Sequence, residues 1–306
     1  MNKDLNKDKI VIIDFGSQVT KLIARRIREY NVLSEVLTLK DIKKKNAFFN
    51  VKGIILSGGP LTVTTNSFPK IPNEVFNLNI PILGICYGLQ LITKHFKGMV
   101  KTNIKKREFG RANLIKRKNS ILMKNFYKNN KSVVWMSHQD SVYKLPKGFS
   151  KIASTSQSAM TAIENKKRKV YGIQFHPEVT HTRNGNIIFK NFIFNICKAK
   201  KQWRLDSEKN RIIKEIKNTV DKDKVICALS GGVDSSVVAL LIHKAIGKNL
   251  KCIMVDTGLM RKDEFKTSYE IFKNRYNLNV KIIDASKIYF KKLNKVKDPE
   301  KKRMII

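Results

Sequence analysis

Carboxylates are scarce in this chain. Only 24 Asp and Glu stand against 62 Lys and Arg in 306 residues, a formal net charge of +38. Such an excess attracts polyanions and raises nucleic acid as a partner. Yet it is spread over both halves, is mostly lysine, and travels with abundant Ile and Asn. All three residue types have A/T-rich codons, so genomic base bias accounts for the charge. Even Lys101–Lys131, with 11 basic residues against the single acid Glu108, shows no aromatic interleaving and no nucleic-acid-binding fold signature. Nucleic-acid binding is therefore not read as the main function. Long apolar runs are missing too. None approaches the roughly 18 residues of a membrane span, and the Lys/Asp-rich start is not a signal peptide. Cysteine is sparse: Cys86, Cys197, Cys227 and Cys252 lie far apart with no CxxC pair. That excludes a disulfide framework or a zinc site and points to a reducing cytoplasm. The last three cysteines read as core residues. What is present, 42% apolar and 28% charged residues, suits a globular chain with room for two cores.

The first organising feature is Asn79–Phe96 (NIPILGICYGLQLITKHF). A short apolar run leads into Gly84-Ile85-Cys86-Tyr87-Gly88, and a segment with Leu89, Ile92 and Phe96 at helical spacing follows. Strand, sharp turn and helix, with a cysteine at the turn and glycines two residues to either side, form the pattern of a nucleophile elbow. Small flanking residues let neighbouring backbone approach, and the amides of the following helix favour a thiolate. A buried structural cysteine is the rival reading of Cys86 taken alone, and the symmetric glycines argue against it.

Other segments supply a frame. Lys9–Asp14 predicts a strand, Thr20–Tyr30 a helix, and Val32–Leu39 and Val51–Leu56 two more strands, the last ending in Ser57-Gly58-Gly59-Pro60. Strands alternating with helices indicate a doubly wound α/β sheet, with sites at the carboxyl ends of its strands. A Gly58-Gly59 turn beside a nucleophile can aim N–H groups at a developing oxyanion. A strand-rich, antiparallel section follows, with strands predicted over Ser132–Met136, Gly148–Thr155 and Lys169–Phe175. The last ends in His176-Pro177-Glu178, where the proline limits motion between a candidate base and its orienting carboxylate. His138 is an alternative base without an adjacent orienter, and Asp140 reads equally as a turn residue. His95 and His181 read as structural or surface.

Gly84–Gln90 together with His176-Pro177-Glu178 resembles the class I (triad) glutamine amidotransferases, over residues 9 to about 200. That resemblance implies a flavodoxin-like mixed sheet in which Cys86 is the nucleophile, His176 the general acid/base and Glu178 its orienter. It also implies an oxyanion hole from the N–H groups of Gly59 and Tyr87.

The second half begins with a charged helical connector, Leu205–Asp223. A strand, Lys224–Leu229, then runs into Ser230-Gly231-Gly232-Val233-Asp234-Ser235-Ser236 and an apolar helix, Val237–Ile246. Glycines, hydroxyls and amides at a helix N-terminus make a phosphate cradle, and no GxxxxGK[ST] is present. SGGVDSS resembles the loop of N-type ATP pyrophosphatases, which implies an adenine nucleotide α-hydrolase-like parallel sheet. Further strands are predicted at Leu250–Val255 and Lys281–Ile283. The resemblance places Val255 and Asp256 near the nucleotide, with a hinge turn as an equal rival. Domains are expected at 1–203 (amidotransferase) and 204–306 (the N-terminal part of the pyrophosphatase).

An amidotransferase ahead of SGGVDSS, with DFGSQ (14–18), EFGRANL (108–114), VWMSH (134–138) and VDTGLMR (255–261), is similar to the glutamine-hydrolysing GMP synthase family. The resemblance implies glutamine, ATP with Mg²⁺, and XMP as substrates, and no tightly bound prosthetic group. It also implies a homodimer formed through a C-terminal region beyond Ile306, so this polypeptide by itself is expected to keep the glutaminase half. The alternatives are a non-catalytic basic binding protein and a stand-alone glutaminase subunit. Val19, Lys21, Gln139 and the run Ser156–Met160 depart from the family's usual residues, and the last is expected at the wall of the glutamine pocket.

Overall fold

The computed structural model describes residues 7–44, 46–65, 68–102 and 107–306. The chain separates into two compact units, Met1–Trp203 and Arg204–Ile306.

In the first unit β1 (Lys9–Ile13), β2 (Leu33–Leu37), β3 (Val51–Leu56) and β4 (Ile82–Ile85) are parallel neighbours. Helices α1 (Thr20–Arg28), α2 (Asn73–Asn77) and α3 (Tyr87–His95) connect them or follow them. β5 (Met99–Thr102) pairs with β8 (Asp140–Lys144) as a separate two-stranded ribbon. β6 (Glu108–Lys116), β7 (Lys131–His138), β9 (Ser150–Ser154), β10 (Ala162–Asn165) and β11 (Val170–Ile173) extend the main sheet. Its nine strands run in the order β2-β1-β3-β4-β11-β10-β9-β6-β7. The parallel half becomes antiparallel just past β11, which still runs parallel to β4.

The pleat explains why the sheet holds together. Successive side chains of a strand point to opposite faces, and here both faces are covered. Ile10 and Ile12 of β1 enter a core with Ile23 and Ile27 of α1 and with Ile188 and Phe189 of α4 (Gly185–Lys190). Val11 and Ile13 enter a second core with Val75 of α2 and Leu89 and Ile92 of α3. Strands buried on both sides read as continuous apolar runs, and KIVII and VKGIIL do. This is the mixed α/β sheet expected from the sequence.

The second unit has α5 (Leu205–Val220), then β12 (Val225–Ala228), α6 (Val233–Ile246), β13 (Leu250–Asp256) and β14 (Val280–Asp284). The three strands form an all-parallel sheet in the order β12-β13-β14, as the second domain's resemblance implies. Its core is small, centred on Leu250, Cys252, Met254 and Phe272. Cys197 and Cys252 are buried as expected of core residues, whereas Cys227 is only partly so. Among the described residues no helix is long and apolar enough to cross a membrane.

Candidate active site

Cys86 stands between β4 and α3 with φ 51° and ψ −103°, a left-handed conformation that a side-chain-bearing residue rarely adopts. Two features hold it there. Its N–H donates to the Ile173 carbonyl at 2.8 Å, continuing the β4–β11 ladder by one residue. Behind it, Gly84 packs against the Gly88 backbone, and Gly88 against the Leu56 backbone, so closely that neither has room for a Cβ. The thiol is only 6% exposed, yet it is not sealed in hydrocarbon. It donates to the Ser137 carbonyl and accepts from Gln174 Nε2, both at 3.6 Å.

The parallel register Ile85↔Ile173 brings the ends of β4 and β11 side by side, so the His-Pro-Glu turn after β11 arrives next to the elbow. His176 is pinned at both backbone groups. Its N–H donates to the Trp135 carbonyl at 3.0 Å, and its carbonyl accepts from Thr182 Oγ1 at 2.6 Å. Its Nδ1 donates to Glu178 Oε1 at 2.8 Å, which leaves Nε2 for a second partner. Glu178 is fully buried, and its Oε2 has no partner among the described residues. Burial by itself would lower the imidazole pKa. Hydrogen bonds and charge from Cys86 and Glu178 outweigh it and raise the pKa from 6.5 to about 10. The structure therefore brings Cys86, His176 and Glu178 together.

Two openings flank the cysteine. A cavity of about 470 Å³ is lined by Gly59, Cys86, Tyr87, Gln90, His138 and Asp140. A second, of about 410 Å³, is reached from Cys86, His176, Ser17, Val19 and Trp135. The N–H groups of Gly59 and Tyr87, expected to form an oxyanion hole, have no acceptor among the described residues. A Cβ at Gly59 would come within 2.8 Å of the Phe15 carbonyl oxygen, so glycine lets that turn lie flat against its neighbour.

Of the family departures, Gln139 lines the first cavity, Val19 lines the second, and Lys21 is exposed on α1. The Ser156–Met160 run lines neither. It closes the β9–β10 turn, with the Thr155 N–H donating to the Ser158 carbonyl at 2.8 Å. The expectation of a pocket-wall change there is thus corrected. His138 likewise differs from its sequence reading. It does have a carboxylate partner, since Glu108 Oε2 lies 3.2 Å from its Nε2, and the Asp140 carbonyl faces its Nδ1 at 3.1 Å. Glu108 is its cross-strand partner in the β6–β7 pair, 30 residues away in sequence. Asp140 is also more than a turn residue: its carboxylate accepts from Thr62 and, at 2.5 Å, from Thr102. His95 stacks on Phe76 at 3.8 Å and His181 lies over Trp135, so both pack against aromatic rings.

In the second unit, the Ser230–Ser236 loop leaves β12 and enters α6 at Val233, with Gly232 as the N-cap. Gly231 has φ +83°, which glycine tolerates. The hydroxyls tie the loop to itself. Ser230 Oγ and Ser235 Oγ are 2.9 Å apart, and Ser236 Oγ donates to the Gly232 carbonyl at 2.6 Å. Asp234 sits in the first turn of α6. Val255 and Asp256 end the neighbouring strand β13, at the same end of the sheet as the loop. Asp256 Oδ1 accepts from the Gly258 N–H at 2.8 Å, which is turn geometry.

A strand-turn-helix cysteine served by a histidine and a carboxylate at the carboxyl ends of a mixed sheet defines an amidotransferase of the triad class. Residues 11–196 match the family model Glutamine amidotransferase class-I, and the chain belongs to that family. Residues 206–304 match a second model, NAD synthase. The chain is 49% identical over 305 residues to the GMP synthase (glutamine-hydrolyzing) of Brachyspira hyodysenteriae, covering 98% of this chain and 58% of that protein. It is 48% identical over 303 residues to the Fusobacterium nucleatum GMP synthase (glutamine-hydrolyzing), covering 99% and 58% respectively. A solved Thermoplasma acidophilum protein, provisionally described as one polypeptide of a GMP synthase, superposes with a TM-score of 0.54 at 32% identity. The match covers 63% of this chain and 95% of that one. The chain thus spans under three-fifths of the length of the curated relatives it matches.

Proposed function

We propose that the first unit hydrolyses glutamine and that the chain carries this half, with the nucleotide loop, of a glutamine-dependent GMP synthase. The observation that carries the reading is the Cys86–His176–Glu178 relay, built on a left-handed cysteine and opening into a 470 Å³ cavity.

The chemistry follows from the groups present. The Cys86 sulfur, as thiolate, attacks the side-chain amide carbon of glutamine, and the carbonyl π electrons move to oxygen. Gly59 and Tyr87 N–H groups receive that oxyanion. His176, positively charged beside Glu178, gives its Nε2 proton to the amide nitrogen. The C–N bond breaks, ammonia leaves, and a γ-glutamyl thioester remains on Cys86. Neutral His176 then takes a proton from water as the water attacks the thioester, releasing glutamate and restoring the thiolate–imidazolium pair. Glu178 keeps the imidazole oriented throughout.

In the second unit, Ser230–Ser236 would cradle ATP phosphates, with Val255 and Asp256 nearby, and Mg²⁺ would arrive as part of the nucleotide substrate. Among the described residues no group of three or more His, Cys, Asp or Glu could hold a metal by itself. XMP is the acceptor we assign, because the relatives are GMP synthases and residues 206–304 extend beyond a lone amidotransferase unit. Four free thiols suit a reducing compartment, and we place the reaction in the cytoplasm.

Ammonia release from glutamine by the wild type and by Cys86→Ala tests the catalytic reading. The wild type is expected to turn over and the variant to fall to background. Equal release from both would overturn it.

A further inference from the structure

A cavity of about 610 Å³ in the first unit lies apart from the cysteine and shares no lining residue with either opening beside it. It is formed where the chain between β6 and β7 folds back on itself beside the β10–β11 turn. Leu122, Met123 and Phe126 anchor that chain in the core, and Asn191 Nδ2 holds the carbonyls of Leu122 and Lys124 at 2.9 and 2.8 Å. The concavity is thus fixed by packing rather than by a loose loop. Its volume falls in the range of small-molecule sites.

Its lining is one-signed. Lys116, Lys118, Lys124 and Lys166 surround it, joined by Asn side chains and Ser120. Among the described residues neither Lys116 nor Lys124 pairs with a carboxylate, and Lys118 Nζ only donates to Ser150 Oγ at 3.2 Å. A carboxylate bound to two lining residues, Glu164, is buried. It accepts from Ser120 Oγ at 2.6 Å and meets Lys166 at 3.6 Å. An excess of positive charge therefore faces the cavity. The Tyr127 ring forms part of the wall, and its hydroxyl is buried out of reach of solvent.

We propose that this cavity binds a compact polyphosphate group, held by Lys116, Lys118, Lys124 and Lys166 with the Asn side chains between them. Ammonium groups suit phosphate oxygens as point charges, and amide donors add directed hydrogen bonds. A short concavity without stacked aromatics fits a small ligand better than a nucleic-acid strand. A free polyphosphate chain and the phosphates of a nucleotide carry the same chemistry.

Calorimetric titration with sodium tripolyphosphate and with ATP, both without Mg²⁺, tests the site. Gly232→Val serves as background, so that the loop of the second unit does not contribute. We expect one site per chain, weakened several-fold when salt rises from about 50 to about 200 mM. Lys116→Gln/Lys124→Gln should reduce affinity at least tenfold. The exposed pair Lys21→Gln/Lys190→Gln, which removes the same charge elsewhere, should change it less than twofold. Tighter binding of ATP than of tripolyphosphate assigns the site to nucleotides, and the reverse assigns it to the free chain. No binding of either probe, or equal losses in the cavity pair and the exposed pair, would overturn the proposal.

Discussion

Glu178 has the least freedom of the three residues in the proposed relay. It is fully buried, one carboxylate oxygen is committed to His176 Nδ1, and the other has no partner among the described residues. Glu178→Gln keeps the volume and removes the charge that supports an imidazolium. By analogy with the orienting carboxylate of serine-protease triads, kcat for glutamine hydrolysis should fall about 10²- to 10⁴-fold with little change in KM. An unchanged kcat would remove Glu178 from the relay. The same pair makes a stability prediction. The folded-state pKa of His176, about 10, exceeds the unfolded value of about 6.5. Its contribution is therefore fully present below about pH 6.5 and is lost as pH rises through about 10. The stability advantage of the wild type over His176→Gln, measured by urea unfolding, should narrow across that window. A constant gap would mean that the imidazole is not charged in the fold.

At the scale of elements, the β4–α3 elbow depends on backbone meeting backbone. A methyl group on Gly88 would intrude on the Leu56 carbonyl, and no side-chain rotation can relieve that contact. Gly88→Ala should therefore destabilise the first unit by about 2 kcal/mol or more, the upper part of the overpacking range, and should also reduce glutamine turnover. A urea midpoint equal to the wild type's would show that β3 and α3 can move apart. This elbow was legible in the sequence because its information is local: an apolar run, two glycines and a helical period within 18 residues. β1 and β3 were legible for a related reason, since burial on both faces leaves a continuous apolar signature. Elements fixed by distant partners were not. β7 extends beyond SVVWM to Lys131 and His138 because β6 pairs with it along its polar ends. The Glu108–His138 contact exists only once that register is set. α6 begins at Val233 rather than Val237, because Gly232 caps the helix within the SGGVDSS motif itself. The lysines around the 610 Å³ cavity were visible only as a compositional excess, since concavity is not a property of composition.

The two units differ in how well each buries its own sheet. Among the described residues the first has a nine-stranded sheet between two apolar cores, whereas the second covers a three-stranded sheet with one small core. Apolar side chains of the second remain in the open: Ile226 of β12 is 70% exposed, and Val233 at the head of α6 is 79% exposed. Hydrophobic stabilisation scales with the apolar area withdrawn from water, so the smaller unit has less to offset its chain entropy. Unfolding should accordingly occur in two steps, the second unit first. In a urea titration, helix signal from 204–306 should be lost while glutamine hydrolysis, which depends on the first unit, persists to a higher denaturant concentration. Any ligand bound only by the folded second unit must raise the first midpoint and leave the later one in place. ATP should do this in the wild type. Asp234→Ala, which removes the acidic residue from the first turn of α6, should lose the shift without altering hydrolysis. A single transition, with activity and helix signal lost together, would show that the units stabilise one another. An ATP shift that survives Asp234→Ala would place nucleotide binding outside the loop.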